Sequence, residues 1–310
     1  MTLLISLPES MAPRALSSAL LSLEPGLKIV TGHDNVQNTN EVEFAVVWNN
    51  YPEGLLLNYP NLKAISSYGH GVDGLLADRK LPEGVPLVRL KDDTMAGWMS
   101  EYLLAVVLLH RRQLLRHAEN SDFIEWGIAS RYHGNQLSIL GLGYLGQAAA
   151  KVFLKMRFDV SGWSRTLKKI EGVRSFSGND GLNEMLKNTN YLVNLLPLTL
   201  ETTDLLNTET LSKLKRGAYL INVGRGETLV EENLIPLLDE GQLSGACLDV
   251  FRTEPLPEEH PFRKHKKILI TPHNSSSTPA DSVAPQILEN YKRAVSGRQL
   301  LNLVDLERGY

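Results

Sequence analysis

Three polar residues stand just past short apolar runs in the second half of this 310-residue chain. Arg225 follows Ala218-Tyr-Leu-Ile-Asn-Val-Gly, Glu254 follows Cys247-Leu-Asp-Val-Phe-Arg-Thr, and His273 follows Ile268-Leu-Ile-Thr-Pro. An arginine grips a carboxylate with a planar fork, a histidine titrates near neutral pH, and a carboxylate beside it favours the imidazolium. Together they suit the reduction of a 2-oxo acid, in which a carboxylate is held and a carbonyl oxygen is protonated. Singly, each has a plainer explanation: a surface charge, a residue ahead of a proline turn, a loop histidine. What joins them is their shared placement, because ligands bind outside the carboxyl ends of strands in open α/β sheets.

A second signal precedes them. Leu137-Ser-Ile-Leu140 empties into Gly141-Leu-Gly143-Tyr144-Leu145-Gly146 and then into the helix-forming Gln147-Ala-Ala-Ala-Lys-Val-Phe-Leu-Lys-Met156. Strand, glycines, helix is the context that a dinucleotide-binding fingerprint needs. Gly141 allows the tight turn, Gly143 lets the backbone approach a pyrophosphate, and Gly146 lets helix and strand pack closely, while the helix N-terminus attracts the anion. The next strand, Phe158–Trp163, ends at Ser164-Arg165-Thr166, with Lys168-Lys169 beyond. An NAD-specific site places a carboxylate there, about 20 residues past the glycines. A hydroxyl and a guanidinium favour a 2′-phosphate instead, so NADP(H) is the preferred cofactor and NAD(H) a possible one.

The elements that must position these groups are α/β throughout. Up to about residue 95, the runs Leu3–Leu7, Leu27–Val30, Phe44–Trp48, Leu62–Ser67 and Leu87–Leu90 alternate with amphipathic or turn-rich stretches, the pattern of a parallel sheet covered by helices. Pro13 opens one helix, and Pro25-Gly26 closes it after Ala15–Leu23. A long helical pattern runs from Met95 to Glu119; its first half, Met99–His110, is apolar nearly all round, which predicts burial between domains or in a subunit interface. A loop from Asn120 to Gly134 leads to the glycines. Six strands then follow: Leu137–Leu140, Phe158–Trp163, Tyr191–Leu196, Ala218–Val223, Ala246–Val250 and Ile268–Ile270. The last helix, Thr278–Gly297, has to pack outside that finished sheet. The expected organisation is two doubly wound parallel-sheet domains, residues 1–97 with 275–310 as a discontinuous substrate domain and 98–274 as a Rossmann domain that includes the dimerisation segment.

A net charge of −3 offers no bulk attraction to nucleic acid or anionic membrane. Cys247, the one cysteine, excludes an internal disulfide and a thiolate metal cluster, lies in an apolar run, and suits a reducing cytoplasm. No metal site is expected. Met1–Pro8 lacks a basic leader and reads as a first strand, and no stretch of about 18 apolar residues suggests a membrane span.

Over essentially its full length the chain resembles the D-2-hydroxyacid dehydrogenases. The resemblance is carried by Tyr68-Gly-His-Gly-Val-Asp73, Gly141-Leu-Gly-Tyr-Leu-Gly146, Trp163-Ser-Arg165, Asn194-Leu-Leu-Pro197, Asn222-Val-Gly-Arg-Gly226, Leu248-Asp-Val-Phe251 with Glu254-Pro-Leu-Pro257, Thr271-Pro-His273 and the terminal Arg308-Gly-Tyr310. It implies a Rossmann domain beside a flavodoxin-like substrate domain, a small 2-oxo or 2-hydroxy acid such as glyoxylate or hydroxypyruvate as substrate, and a homodimer. Arg225 would bind the substrate, His273 donate the proton, and Glu254 orient and charge His273. Backbone amides of Gly69, His70, Gly71 and Val72 would hold the carboxylate. The cofactor would be contacted by Gly141–Gly146, Ser164, Arg165, Leu196, Pro197, Val223, Gly224 and, at the carboxamide, Asp249.

His70 departs from the small residue common at its position, so its ring either narrows the pocket or points to solvent. Trp48, Met95 and Trp98 suit an apolar substrate wall and core packing equally. Two other readings keep the scaffold: an enzyme for a bulkier 2-oxo acid such as phenylpyruvate, or a nucleotide-sensing binding protein of the corepressor kind. If Arg165 reads the 2′-phosphate, Arg165→Ala raises KM for NADPH ten- to a hundredfold, roughly the loss of a charge-assisted pair, and leaves KM for NADH almost unchanged. Steady-state kinetics with both cofactors decides; equal effects on the two refute the assignment.

Overall fold

β-Branched and leucine-rich runs bounded by turn residues become the central strands here because they are covered on both faces, as a parallel sheet requires. The computed structural model describes residues 2–49, 51–114 and 134–309. The chain folds into two compact units, Met1–Met95 with Thr278–Tyr310, and Ala96–Ser277; the sequence-based boundaries lie at 97/98 and 274/275.

The first unit holds β1 (Thr2–Ser6), β2 (Ile29–Thr31), β3 (Val42–Val47), β4 (Ala64–Ser67) and β5 (Leu87–Val88). They form one all-parallel sheet in the order β2-β1-β3-β4-β5, the flavodoxin-like order. All five strands expected from the apolar runs are present, with ends shifted by a residue or two. Pro13 starts the helix Pro13–Leu23, where its missing N–H costs nothing. Leu16, Ala19 and Leu20 form its buried stripe. The helix Ala280–Val295 returns to this unit, packing Val283, Ala284, Ile287 and Tyr291 against Leu16, Leu20 and Phe44.

The second unit holds β6 (Gln136–Leu140), β7 (Asp159–Trp163), β8 (Arg174–Phe176), β9 (Tyr191–Asn194), β10 (Ala218–Asn222), β11 (Leu243–Leu248) and β12 (Ile268–Ile270). All are parallel, in the order β12-β11-β10-β9-β6-β7-β8. In outline this is the Rossmann order, the strand sequence reversing at the first strand of the unit, with one further strand in the sheet. The six-strand expectation is therefore one short. β8 escaped because it is a three-residue edge strand starting at an exposed arginine, with too little apolar alternation to register.

The helix Asp93–Arg111 is buried on one face by its own unit. Met99, Leu103, Val106 and Val107 pack against Leu137, Ile139 and Phe153, whereas Trp98, Glu101 and Ala105 are exposed. Its other face is open within this unit, and the expected burial between domains or in a subunit interface concerns that face. Its expected continuation beyond Leu114 and the loop up to residue 133 lie outside the described residues. No helix among the described residues is long and apolar enough to cross a membrane.

Ile287 is fully buried in the first unit's core. Ile287→Ala should lower unfolding stability by about 2–5 kcal/mol. Urea titration followed by circular dichroism checks this, and an unchanged midpoint would show that the C-terminal helix is not part of that core.

Candidate functional site

Register decides which residues share an edge. In the second unit one row of paired strand residues runs Phe176, Trp163, Leu140, Asn194, Asn222, Leu248, Ile270. Every candidate loop leaves the sheet just past that row: Gly141–Gly146, Ser164-Arg165, Leu196-Pro197, Val223-Gly224-Arg225, Asp249 to Glu254, and Thr271 to His273. The strand order reverses between β6 and β9, so the switch-point crevice opens between the glycine turn and the Leu196 loop.

The three glycines do three different things. Gly141 has φ +100°, and a Cβ there would lie 2.9 Å from the Leu195 carbonyl oxygen. A Cβ on Gly146 would sit 1.9 Å from the Gly141 carbonyl oxygen, so the helix Tyr144–Lys155 reaches the turn only without one. Gly143, the N-cap, has nothing within 4 Å of its would-be Cβ. Two positions are thus closed by the protein's own backbone and the middle one faces open space at a helix N-terminus, a cradle that fits a dinucleotide pyrophosphate.

Past β7, the Trp163 indole N–H donates to the Gly178 carbonyl at 2.8 Å, and the Ser164 hydroxyl donates to the Thr166 carbonyl at 2.9 Å. Ser164 is nearly buried, whereas Arg165 and Thr166 are exposed. The Ser164 proton is therefore already engaged, and Arg165 is an exposed cationic group at this strand end, with Lys168 and Lys169 beyond it.

Arg225 owes its place to a buried amide network. The Asn194 side-chain NH₂ donates to the Asn222 amide oxygen at 2.9 Å and to the Thr228 hydroxyl at 2.8 Å. Asn222 (3.1 Å) and Thr228 (2.6 Å) in turn donate to the Arg225 carbonyl. All three side chains are fully buried. Gly226 has no room for a side chain, since a Cβ would fall 1.9 Å from the Phe251 carbonyl carbon, so the arginine loop lies directly on the loop leading to Glu254. One guanidinium nitrogen donates to the Gly224 carbonyl at 2.7 Å.

Glu254 and His273 meet, with Nδ1 of His273 2.7 Å from Oε2 of Glu254. The other carboxylate oxygen accepts from the Phe251 N–H at 3.0 Å. The bond from Glu254 raises the His273 pKa above its ordinary value; burial and the Arg225 charge oppose it, and the charges of Glu254 and Asp249 add to it. Burial pushes the Glu254 carboxyl up, but the bonds from His273 and Phe251 and the charges of His273 and Arg225 outweigh it and leave it lowered. Both directions favour an imidazolium and carboxylate pair. His273 adopts φ +50°, uncommon outside glycine, and its N–H is held by the carbonyls of Asp249 (2.9 Å) and Thr271 (3.1 Å).

Asp249 is fully buried, and its two oxygens accept from the Thr271 hydroxyl (2.6 Å), the Asn274 N–H (2.9 Å) and the Ser275 N–H (2.9 Å). It thus ties down the loop that carries His273, a task the sequence does not reveal. The roles of Asn194, Asn222 and Thr228 are likewise absent from the sequence reading. The one sequence signal, for the two asparagines, is an amide side chain ending each of two otherwise apolar strands, where burial demands a hydrogen-bonded partner.

In the first unit, Trp48 and the Tyr68–Val72 loop follow the carboxyl ends of β3 and β4. The Trp48 ring packs on the loop so closely that a Cβ on Gly69 would lie 2.1 Å from it. The Ser67 hydroxyl donates to the Gly71 carbonyl at 2.9 Å. Nδ1 of His70 donates to the Leu90 carbonyl at 3.1 Å, so the ring is tied to its own unit rather than loose in solvent. Met95 is buried in this unit's core, while Trp98 belongs to the second unit and is exposed.

The chain belongs to the D-isomer specific 2-hydroxyacid dehydrogenase family: residues 104–275 match that family's NAD binding domain. It is accordingly an NAD(P)-dependent oxidoreductase. Glyoxylate/hydroxypyruvate reductase A of Serratia proteamaculans is 39% identical over 275 residues, 86% of this chain and 88% of that protein. The protein of the same name from Yersinia enterocolitica is 37% identical over 280 residues, 88% and 89% of the two chains. Among solved structures, a D-isomer specific 2-hydroxyacid dehydrogenase from Xanthobacter autotrophicus Py2 in complex with NADPH and MES has a TM-score of 0.94 at 38% identity, covering 100% of this chain and 99% of that one. The NADPH-dependent glyoxylate/hydroxypyruvate reductase from Sinorhizobium meliloti in complex with NADP and sulfate has a TM-score of 0.91 at 34% identity, covering 100% and 99%.

The glycine geometry separates binding from folding. Gly143→Ala should leave the thermal midpoint within about a degree or two and, if a pyrophosphate binds at this helix N-terminus, weaken NADPH binding at least roughly tenfold, since its methyl enters only open space there. Gly226→Ala should instead lower stability by about 1–3 kcal/mol or more through overpacking. Thermal melts paired with calorimetric NADPH titration test both, and a Gly143→Ala protein with native affinity refutes the cradle.

Proposed function

We propose that this protein reduces small 2-oxo acids, glyoxylate to glycolate and hydroxypyruvate to D-glycerate, with NADPH preferred and NADH possible. The observation that carries the reading is the 2.7 Å contact between Glu254 and His273, with the Arg225 charge bearing on both groups. It is supported by the names of the Serratia and Yersinia relatives and by the NADPH and NADP bound in the two solved structures.

When bound, the reduced nicotinamide supplies the hydride. Gly141–Gly146 would hold the pyrophosphate and Arg165 the 2′-phosphate, while Leu196, Pro197, Val223 and Gly224 line the nucleotide's path. Asp249 would reach the carboxamide with whatever accepting capacity its three donors leave. Glu254 occupies Nδ1 of His273, so the proton for the keto oxygen leaves from Nε2. Arg225, its carbonyl locked by Asn222 and Thr228, presents its guanidinium to the substrate carboxylate and to the charge growing on the oxygen. Backbone amides of Gly69–Val72 are assigned to the carboxylate, with Trp48 bracing that loop. The proposed protein is a cytoplasmic homodimer, associating through the segment that includes Met99–His110.

A panel of glyoxylate, hydroxypyruvate and phenylpyruvate with NADPH and NADH tests the reading. The highest kcat/KM should fall to hydroxypyruvate or glyoxylate with NADPH; preference for phenylpyruvate replaces the substrate, and no turnover with any of the three refutes the proposed substrate range.

The elevated His273 pKa sets the pH dependence. A raised pKa keeps the donor protonated to higher pH, so activity in reduction is present on the acid side and lost as pH rises through it. Glu254→Gln removes the first cause of that elevation and should move the alkaline limb of kcat/KM toward acid pH; His273→Ala should lower the rate at every pH. An alkaline limb unmoved in Glu254→Gln would falsify the coupling.

A further inference from the structure

We propose that Tyr102 is a positioning residue for the reaction, acting on His273 through an ordered hydrogen-bond relay from Tyr102 to Thr271 to Asp249. The inference rests on the reading of His273 as proton donor and goes beyond it, since Tyr102 lies on the helix Asp93–Arg111, far in sequence from the strand-end loops.

The direction of the relay follows from counting protons. Asp249 donates nothing and accepts from three groups, so the single Thr271 hydroxyl proton is spent on its Oδ1 at 2.6 Å. The Tyr102 hydroxyl, 2.6 Å from the Thr271 oxygen, must then be the donor in that contact. Its own oxygen is left to accept, and the Cys247 thiol at 3.3 Å is the group that can donate to it. Burial raises both the Tyr102 hydroxyl, above its ordinary value, and the Cys247 thiol, to about 12, so both keep their protons at neutral pH as the order requires. Every hydroxyl orientation in this chain of bonds is fixed by the carboxylate at its end.

The relay ends where His273 is set. Asp249 holds the N–H groups of Asn274 and Ser275 through its side chain and the N–H of His273 through its carbonyl. These bonds pin a stretch in which His273 has a left-handed backbone, a conformation that persists only where its surroundings over-determine it. Without the Tyr102 hydroxyl, the Thr271 side chain keeps its bond to Asp249 but loses the one that ties it to the helix Asp93–Arg111, and the clamp on the histidine loop loosens. The groups bearing on the imidazole are Glu254, Arg225 and Asp249, and the bond to the first of these depends on where the clamp sets the His273 backbone.

The experiment is a kinetic cycle on the full-length enzyme. Tyr102→Phe should lower kcat for glyoxylate reduction about three- to tenfold, the fold-change of one neutral hydrogen bond, with KM for NADPH within about twofold. Thr271→Val should lower kcat at least as much, Thr271→Ser should restore most of it, and the double variant Tyr102→Phe/Thr271→Val should be no worse than Thr271→Val alone. In cofactor-free protein, the NMR titration midpoint of the His273 ring should fall in Tyr102→Phe and return toward the unmodified value in Thr271→Ser relative to Thr271→Val. An unchanged kcat and midpoint in Tyr102→Phe, or effects that multiply in the double variant, overturn the relay. If His273→Ala itself retains activity, the proton-donor reading fails instead, and the ring titration still reports on the relay.

Discussion

A parallel sheet delivers the carboxyl end of every strand to one edge, and the chemistry of this protein depends on that constraint. The row from Phe176 to Ile270 aligns six neighbouring pairs across the second sheet, so loops that begin anywhere from residue 141 to residue 271 leave from one line. A slip of one residue in any pair would turn its side chains to the opposite face and carry its loop out of the line. Burial on both faces prevents the slip: Leu140, Leu192, Leu220 and Leu248 pack on one side of the sheet and Ile139, Val193, Ile221 and Cys247 on the other.

Alignment alone leaves the loop backbones with unsatisfied groups at a buried edge, and the polar residues there answer that demand. Asn194, Asn222 and Thr228 close on one another and on the Arg225 carbonyl; Asp249 closes on Thr271, Asn274 and Ser275. Losing one partner from such a network leaves a buried polar group that costs about 1–3 kcal/mol, which makes the loops stiff as well as satisfied. Stiffness is what a proton donor and a charge-bearing arginine need, because small misplacements are expensive in rate. The Glu254 and His273 pair itself stays more open, with side chains 36% and 43% exposed. Its electrostatics are accordingly moderated by water, and the proposed role rests on orientation and protonation rather than on stability.

Glycine marks the places where backbone meets backbone. Gly146 against Gly141 joins helix to turn, and Gly226 against Phe251 joins the arginine loop to the glutamate loop. Gly143 is different, since its side-chain direction is open, and the distinction between a glycine needed for folding and one left for a ligand is visible only in three dimensions.

Much of this was legible in the residues. Most strands of both units, the helices Pro13–Leu23, Tyr144–Lys155 and Ala280–Val295, the strand, glycine turn and helix order, and the strand-end addresses of Arg225, Glu254 and His273 follow from period, turn chemistry and sequence order, all of which act over a few residues. The short edge strand Arg174–Phe176 did not, because an exposed edge carries no apolar alternation to read. Nor did the face of the helix Asp93–Arg111 that packs on Leu137, Ile139 and Phe153, which depends on what lies against each side. The hydrogen-bond partners of Asn194, Asn222, Thr228, Asp249 and Tyr102 were decided by tertiary structure alone. Tyr102 and Cys247 are 145 positions apart, and no local pattern says which distant donor a buried acceptor will find. The sequence determines which groups must be paired once they are buried; the packing of the sheet against its helices determines with whom, because a hydrogen bond depends on a few tenths of an ångström and on direction, and both are set by the whole fold.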